Sequence, residues 1–118
     1  MLNQTRIDLV YLALGATDLR KAVDGLALIV QESFKLDPFS RHLFVFCNRK
    51  RDKVKILEWD DSGFWLHYKR LDNGTFKWPD GTKGHALPIT ERELRWLLDG
   101  LPVQQRGAHK AVEQRMLI

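Results

Sequence analysis

Apolar residues change their spacing along this chain, and each spacing predicts a type of element. Residues 9–14 form a short apolar run that predicts a strand. From Leu19 to Phe34 the apolar residues recur at intervals of three and four, which places them along one side of a helix. We expect this helix to begin at Thr17 or Asp18, because both residue types accept hydrogen bonds from the first amides of a helix.

Gly25 lies in the middle of the predicted helix. Glycine at such a position should destabilise a helix by up to about 1 kcal/mol relative to alanine. We therefore expect another backbone segment to pass close to it. Asp37 and Pro38 should end the helix, because the residue before a proline is pushed out of the helical conformation.

The block from Leu43 to Pro79 predicts a meander of antiparallel strands, because short turns separate runs rich in β-branched and aromatic residues. The predicted strands cover residues 42–48, 53–60, 63–71 and 75–78. The last turn holds Asn73 and Gly74, the residue pair most typical of a two-residue type I′ hairpin.

Side chains alternate between the two faces of a strand, so the turns also predict which residues share a face. One face should form the core beneath the first helix and carry Phe44, Phe46, Leu57, Trp59, Phe64, Leu66 and Tyr68. The other face should mix apolar, aromatic and cationic groups and carry Val45, Val54, Ile56, Trp65, His67, Lys69 and Trp78. This second face is a candidate binding surface.

The C-terminal third predicts one more strand and a second helix. Residues 86–89 are typical of a short strand, and Thr90 and Glu93 have the spacing of a capping box that begins a helix. Gly100 and Pro102 should end that helix within about three turns.

These elements together predict an α+β fold. An antiparallel meander of about four to five strands should pack against an N-terminal helix, with a second short C-terminal helix. A chain of 118 residues is long enough for one hydrophobic core. We expect residues 1–102 to form a single domain, and residues 103–118 to form a C-terminal extension that is either flexible or helical on binding.

Positive charge is concentrated in the centre of the chain. The net charge is +4, and residues 41–85 hold ten Lys and Arg against six Asp and Glu. This excess suits contact with a polyanion and equally suits a solvated surface.

The apolar run at residues 9–14 is too short for a signal sequence or a membrane span, so we expect a cytoplasmic protein without a membrane partner. Cys47 is the single cysteine, which excludes an intrachain disulfide and favours a buried, unreactive thiol.

Residues that could carry catalysis are dispersed. The histidines have no metal-ligand spacing with one another or with the cysteine; they are His42, His67, His85 and His109. The serines belong to no nucleophile motif, and phosphate-loop and dinucleotide signatures are absent. Asp60 and Asp61 are adjacent, and we expect them to form a turn through hydrogen bonds to the backbone. The sequence therefore predicts no catalytic residue, no metal site and no cofactor.

The basic and aromatic residues of the central block form a candidate binding site. The candidate nucleic-acid-binding residues are Arg49, Lys50, Arg51, Lys53, Lys55, Trp65, Lys69, Arg70, Lys77 and Trp78. Cations contact phosphates, and outward-facing tryptophans stack on unpaired bases. Tryptophans are also common in cores and protein interfaces, so a protein partner stays open as the alternative.

Two segments of the chain resemble a known family. They are TDLRKAVDGL at residues 17–26 and LFVFCNRKRDKVKILEWDDSGFWLHYKRLDNGTFKWP at residues 43–79. Both closely resemble the TnpB-type accessory protein of the insertion-sequence-66 family of bacterial transposable elements, which is unrelated to the RNA-guided nuclease of the same name. The resemblance covers about residues 8–101. Ala22, where the family often has Gly or Ser, and Asp72, where it often has Glu, depart from the pattern.

The resemblance implies a non-catalytic protein that acts in DNA transposition beside a separate transposase and other accessory proteins of the same element. It transfers no binding or catalytic residue to this chain. Combined with the basic central block, it favours a protein that contacts transposon DNA. A subunit that docks on the transposase without binding DNA is the alternative, and a metal-dependent nuclease is a third hypothesis.

Overall fold

The computed structural model describes residues 9–103. It contains five strands and two helices within this range: β1 Val10–Ala13, α1 Val23–Glu32, β2 Leu43–Cys47, β3 Lys53–Trp59, β4 Phe64–Arg70, β5 Ala86–Ile89 and α2 Glu91–Leu98. The α+β fold predicted from the sequence is confirmed. The predicted extension at residues 103–118 lies outside the described residues, apart from Val103.

The five strands form one sheet in the order β4-β3-β2-β1-β5. Strands β2, β3 and β4 are antiparallel neighbours, as the short turns predict. Strands β1 and β2 are parallel, because α1 carries the chain back across one face of the sheet between them. Strand β5 pairs antiparallel with β1 at the other edge. The sheet is therefore mixed, although most of its pairs are antiparallel.

The face beneath α1 carries the aromatic core that the alternation predicts. Phe44 lies opposite Leu57, and Leu57 lies opposite Leu66. Leu26 and Val30 of α1 are fully buried against this face. The assignment of Tyr68 to this core is wrong, because its side chain is 55% exposed at the end of β4, where α1 does not cover the sheet.

The opposite face is also covered, which corrects the prediction of a free sheet face. Helix α2 and the segment after β4 pack on it, and together with the sheet they bury Val10, Leu12, Leu43, Val45, Cys47, Val54, Ile56, Phe76, Ile89, Leu94 and Leu97. Apolar residues on both faces of β2 are shielded from water, since all five are buried. The sheet is thus the middle layer of three.

Helix α1 begins later than predicted, at Val23 with Ala22 as its N-cap. Neither Thr17 nor Asp18 caps it. The Thr17 amide donates instead to the carbonyl of Cys47, which extends the contact between the β1 and β2 segments beyond the end of β1. This bond holds the chain after β1 against the sheet, so the helix starts only after Ala22.

The predicted fourth strand of the meander at residues 75–78 does not form. Gly74 has a positive φ of 78°, but Asn73 is not among the described residues with positive φ, so the turn is not type I′. The Phe76 amide donates to the carbonyl of Arg51 in the turn after β2. The Phe76 ring is buried between the sheet and α2, in the cluster that we call the α2 core. Burial of this ring beneath the sheet outweighs the local hairpin preference of the Asn-Gly pair.

Helix α2 begins and ends as the sequence predicts. Thr90 and Glu93 form a capping box, with the Glu93 amide donating to Thr90 Oγ1 at 3.1 Å and the Thr90 amide donating to Glu93 Oε1 at 2.8 Å. Gly100 has a φ of 86°, and its amide donates to the carbonyl of Leu97. The Leu101 amide donates to the carbonyl of Trp96, which completes a glycine-terminated helix end. Within residues 9–103, neither helix has the length and apolar character required to span a bilayer.

Candidate nucleic-acid interface

The turn between β2 and β3 is held by the side chain of Asn48. Its Oδ1 accepts the amides of Asp52 at 3.1 Å and Lys53 at 3.0 Å, and its Nδ2 donates to the Asp52 carboxylate at 2.8 Å. A single side chain thus ties the two sides of the turn together. Arg49 and Lys50 lie at the tip of this turn, as the sequence predicts, and both are exposed.

Arg51 and Trp78, two of the predicted binding residues, are turned inward and contact the fold itself. Arg51 Nη1 donates to the carbonyl of Gly15 at 3.1 Å, and its guanidinium lies 5.8 Å from the centre of the Trp78 ring. The indole of Trp78 donates to the carbonyl of Ala13 at 2.9 Å and packs against the α2 core. Both side chains fasten the loops after β1 and β4 to the sheet.

Lys55 and Lys69 also hold parts of the fold together. Lys55 Nζ donates to the carbonyls of Leu19 at 2.6 Å and Lys21 at 3.1 Å, which fixes the segment before α1 against the sheet. Lys69 Nζ donates to the carbonyl of Leu98 at 2.7 Å, at the C-terminal end of α2 where a cation is favoured by the helix dipole. Both ammonium groups are therefore engaged in protein contacts.

An open groove of about 600 Å³ lies beside the turn on the α1 side of the sheet. Its lining residues are Asp18, Leu19, Arg20, Asn48, Lys53, Lys55 and Tyr68. Tyr68 lies directly opposite Lys55 across the strand pair, and Lys53 lies directly opposite Arg70. The groove therefore has an aromatic ring among several cations, a combination used by proteins that bind single strands.

Two groove residues were missed by sequence reasoning. Tyr68 continues the apolar alternation of β4, so the pattern assigns it to the core. Arg20 follows the helical spacing of the segment from residue 19, so the pattern assigns it to the outer side of a helix. The sequence carries no signal for either residue, because the apolar spacing predicts a helix from Leu19 to Phe34. The observed α1 has ten residues and is too short to cover a face of seven-residue strands from end to end.

The carboxylates that border the groove are paired with cations or amides. A two-point hydrogen bond from Arg20, at 3.0 and 2.8 Å, holds the pKa of Asp18 well below its usual range. The side-chain amide of Asn48 lowers the pKa of Asp52, which also lies 3.7 Å from Lys53 Nζ. Both carboxylates are thus ionised near neutral pH, and each reduces the local positive potential.

Several cations with exposed or partly exposed side chains lie at one end of the sheet. Arg70 is exposed at the end of β4, and Lys77 is exposed beside Phe76, whose amide bonds to the turn. The side chain of Arg20 is 91% exposed. We call this region the basic end, and define it as Arg20, Arg49, Lys50, Lys53, Arg70 and Lys77.

Trp65 lies at the opposite end of the strand pair, so the predicted site is divided. Its indole donates to the Asp60 carboxylate at 2.7 Å, and its ring stacks on His67 with 6.1 Å between centres. Asp60 also accepts the amides of Ser62 and Gly63, which confirms the predicted turn. The hydrogen bond from Trp65, more than those from the backbone, lowers the pKa of Asp60.

Three more aromatic rings meet at this opposite end, on the α1 side. Phe39 lies 4.9 Å from Trp59 and 5.3 Å from Phe64, measured between ring centres. The Phe39 side chain is 52% exposed. We call this region the aromatic end, and define it as Phe39, Trp59, Phe64 and Trp65.

Candidate metal ligands are dispersed within residues 9–103. Within that range no three His, Cys, Asp or Glu side chains come together as a metal site would require. The thiol of Cys47 is buried, as predicted, and burial raises its pKa, so the reactive thiolate is disfavoured.

A small α+β protein with a basic end and an aromatic end is the class that this fold and surface define. The chain belongs to the family described as IS66 Orf2 like protein, whose family model matches residues 8–108. It is therefore an accessory protein associated with an insertion sequence, as the resemblance in the sequence implies.

Two relatives from Sinorhizobium fredii strain NBRC 101917 / NGR234 are both uncharacterized proteins. The chain is 42% identical to y4hO over 92 residues, which cover 78% of this chain and 79% of the relative. It is 31% identical to y4jC over 101 residues, which cover 86% of each chain. No solved structure matches this protein.

Proposed function

We propose that this protein is a non-catalytic accessory factor in transposition, and that it contacts DNA of its insertion sequence through the basic end. The observation that carries this proposal is the division of the cations into two groups. Arg51, Lys55 and Lys69 are used within the fold, whereas the cations of the basic end have exposed groups available to a partner.

Phosphate contact is the chemistry that these exposed cations support. Lys and Arg that meet a phosphate backbone release condensed counterions, and this release makes binding both favourable and dependent on salt. Because the chain belongs to an insertion-sequence family, we expect the polyanion to be DNA. The transposase of the same element is the partner that would cut and join that DNA.

The first experiment neutralises the turn between β2 and β3. A variant with Arg49→Gln, Lys50→Gln and Lys53→Gln should bind oligonucleotides of any sequence more weakly. Its plot of log affinity against log salt should be shallower by about 0.7 to 0.9 for each phosphate that the variant no longer neutralises. A matched control with Arg41→Gln, Arg92→Gln and Arg95→Gln removes the same charge from exposed positions outside the basic end. Equal slopes for the two variants would contradict the proposed site.

The proposal that the protein is non-catalytic needs its own test. The purified protein is incubated with supercoiled and single-stranded DNA in the presence of Mg²⁺ or Mn²⁺. We expect no nicking and no cleavage above that of a buffer control. Cleavage that increases with protein concentration and follows the protein through a further chromatography step would support the nuclease hypothesis instead.

A second candidate function is docking on the transposase through the aromatic end. The observation that favours it is the exposure of Phe39 and Trp65 at about half of their surface, because such rings are enriched at protein interfaces. A complex with the transposase of the same element that survives high salt and is abolished by Phe39→Ala would support this function. A complex unaffected by that substitution would exclude this surface.

A further inference from the structure

Tyr68 occupies an unusual position for an aromatic residue of a sheet. It points to the same face as Leu66 and the buried Leu57, yet it is 55% exposed because α1 ends its coverage before reaching it. An exposed ring on a sheet face is one surface on which nucleic-acid-binding domains stack unpaired bases. Within residues 9–103, the Tyr68 ring stacks on no other aromatic side chain.

The strand pair beside Tyr68 places two like charges opposite each other. Lys53 and Arg70 are direct cross-strand partners on the same face, an arrangement that destabilises a sheet. Each has a carboxylate nearby, Asp52 at 3.7 Å from Lys53 and Asp72 at 3.4 Å from Arg70. The Arg70–Asp72 pair is exposed and the Lys53–Asp52 pair is partly exposed, so solvent weakens both. An anion held between the two cations would remove the repulsion.

The groove over Tyr68 has fixed walls. Lys55 bonds the carbonyls of Leu19 and Lys21, so the wall before α1 is tied to the sheet. Asn48 forms the other wall and is itself held by three hydrogen bonds. At about 600 Å³ the groove falls within the range of small-ligand sites. A base can reach the ring only when it is unpaired, because paired bases present their edges and not their faces.

We propose that this groove binds one unpaired nucleotide, with the base stacked on Tyr68 and the adjoining phosphate between Lys53 and Arg70. The inference rests on the proposed function and narrows it, because it assigns the protein to single strands. Transient single strands of DNA are the source we expect. RNA offers the same phosphates and similar bases, so the experiment includes it.

The test uses fluorescence anisotropy at one salt concentration to measure binding of three labelled probes. They are a twelve-nucleotide oligothymidylate, the matching oligouridylate and a twelve-base-pair duplex. Tyr68→Leu should weaken binding of the single strand about ten-fold and leave duplex binding within about two-fold. Tyr68→Phe keeps the ring and should bind the single strand as the wild type does. Trp65→Leu removes an exposed ring at the aromatic end and should change neither affinity.

Each outcome separates the inference from the proposed function. Loss of single-strand affinity in Tyr68→Leu alone supports the nucleotide site, and a larger loss with oligouridylate than with oligothymidylate makes RNA its source. Equal binding of single strand and duplex, unaffected by Tyr68→Leu, overturns the site and leaves DNA contact at the basic end intact. No binding of any probe by the wild type overturns both. Circular dichroism of each variant verifies the fold.

Discussion

Glu58 is a charged residue inside the α2 side of the protein, where it is only 1% exposed. Its Oε1 lies 2.8 Å from His67 Nε2, and its Oε2 is buried without a hydrogen-bond donor among the described residues. The His67 imidazole therefore satisfies a Glu58 oxygen that could not reach water.

Removal of one partner should be more harmful than removal of both. We expect His67→Ala to lower the free energy of unfolding by about 3 kcal/mol or more, because it leaves the Glu58 carboxylate buried and unpaired. The double variant Glu58→Met with His67→Leu should recover most of that loss. Urea denaturation of the three proteins measures the effect. A double variant less stable than His67→Ala would show that the pair itself stabilises the fold.

Asp60 gives the aromatic end a pH dependence. Its folded pKa lies below its unfolded pKa, chiefly because of the Trp65 indole. The interaction therefore stabilises the fold above the unfolded pKa, and this contribution is lost as pH falls through the lower folded pKa. Trp65→Phe should raise the pKa of Asp60, as measured by carboxyl carbon shifts in NMR. An unchanged pKa would mean that the backbone amides of Ser62 and Gly63 are sufficient to keep the pKa of Asp60 low.

Gly25 in α1 meets a side chain and not the backbone of another element, which corrects the expectation from the sequence. A Cβ there would lie 3.1 Å from Lys21 Cβ, a close contact that a shift of a few tenths of an ångström in the exposed segment before α1 relieves. Gly25→Ala should therefore stabilise the protein, by less than about 1 kcal/mol.

Gly15 is the matched control for this substitution. Its φ is 76°, and a Cβ would lie 2.9 Å from the backbone of Lys83. Gly15→Ala should destabilise the protein, since both the conformation and the contact oppose a side chain. Thermal unfolding distinguishes the two, and a lower melting temperature for Gly25→Ala would contradict the role given to Lys21.

The elements that local sequence predicts are those whose determinants are neighbours along the chain. The capping box of α2 needs only Thr90 and Glu93, and the hairpins of β2 to β4 need only short turns. The segment after β4 departs from this rule, because Phe76 is placed by the distant core beneath β2 and not by Asn73 and Gly74. Burial against distant residues decides the conformation of such segments, and a single sequence does not show which distant residues will be in contact.

The candidate site was predictable in its charge and not in its geometry. The turn that carries Arg49 and Lys50 follows directly from a basic run between two strands. The inward direction of Arg51 depends on the carbonyl of Gly15, which is 36 residues away. Trp78 likewise depends on a carbonyl 65 residues away. Long-range acceptors of this kind leave no periodic signal in the sequence.

At the scale of the whole molecule, the β3–β4 hairpin separates two unlike surfaces. Lys53 and Arg70 pair at one end of it, and Trp59 and Phe64 pair at the other. Strands of this length, at about 3.3 Å per residue, place these ends about 20 Å apart. Cations therefore dominate one end, while aromatic rings and the carboxylates of the Asp60 turn dominate the other. The DNA contact proposed at the basic end and the transposase contact proposed at the aromatic end would therefore not overlap.

Independence of the two ends can be tested with one variant at each. Arg49→Gln with Lys50→Gln should weaken oligonucleotide binding and leave co-purification with the transposase unchanged. Phe39→Ala with Trp65→Leu should do the reverse, because these side chains are about 20 Å from the proposed phosphate contacts and carry no cation. Anisotropy and co-purification are measured on both variants and on the wild type. Loss of both activities in one folded variant would show that a single surface serves both partners, since distant and unconnected substitutions otherwise act separately.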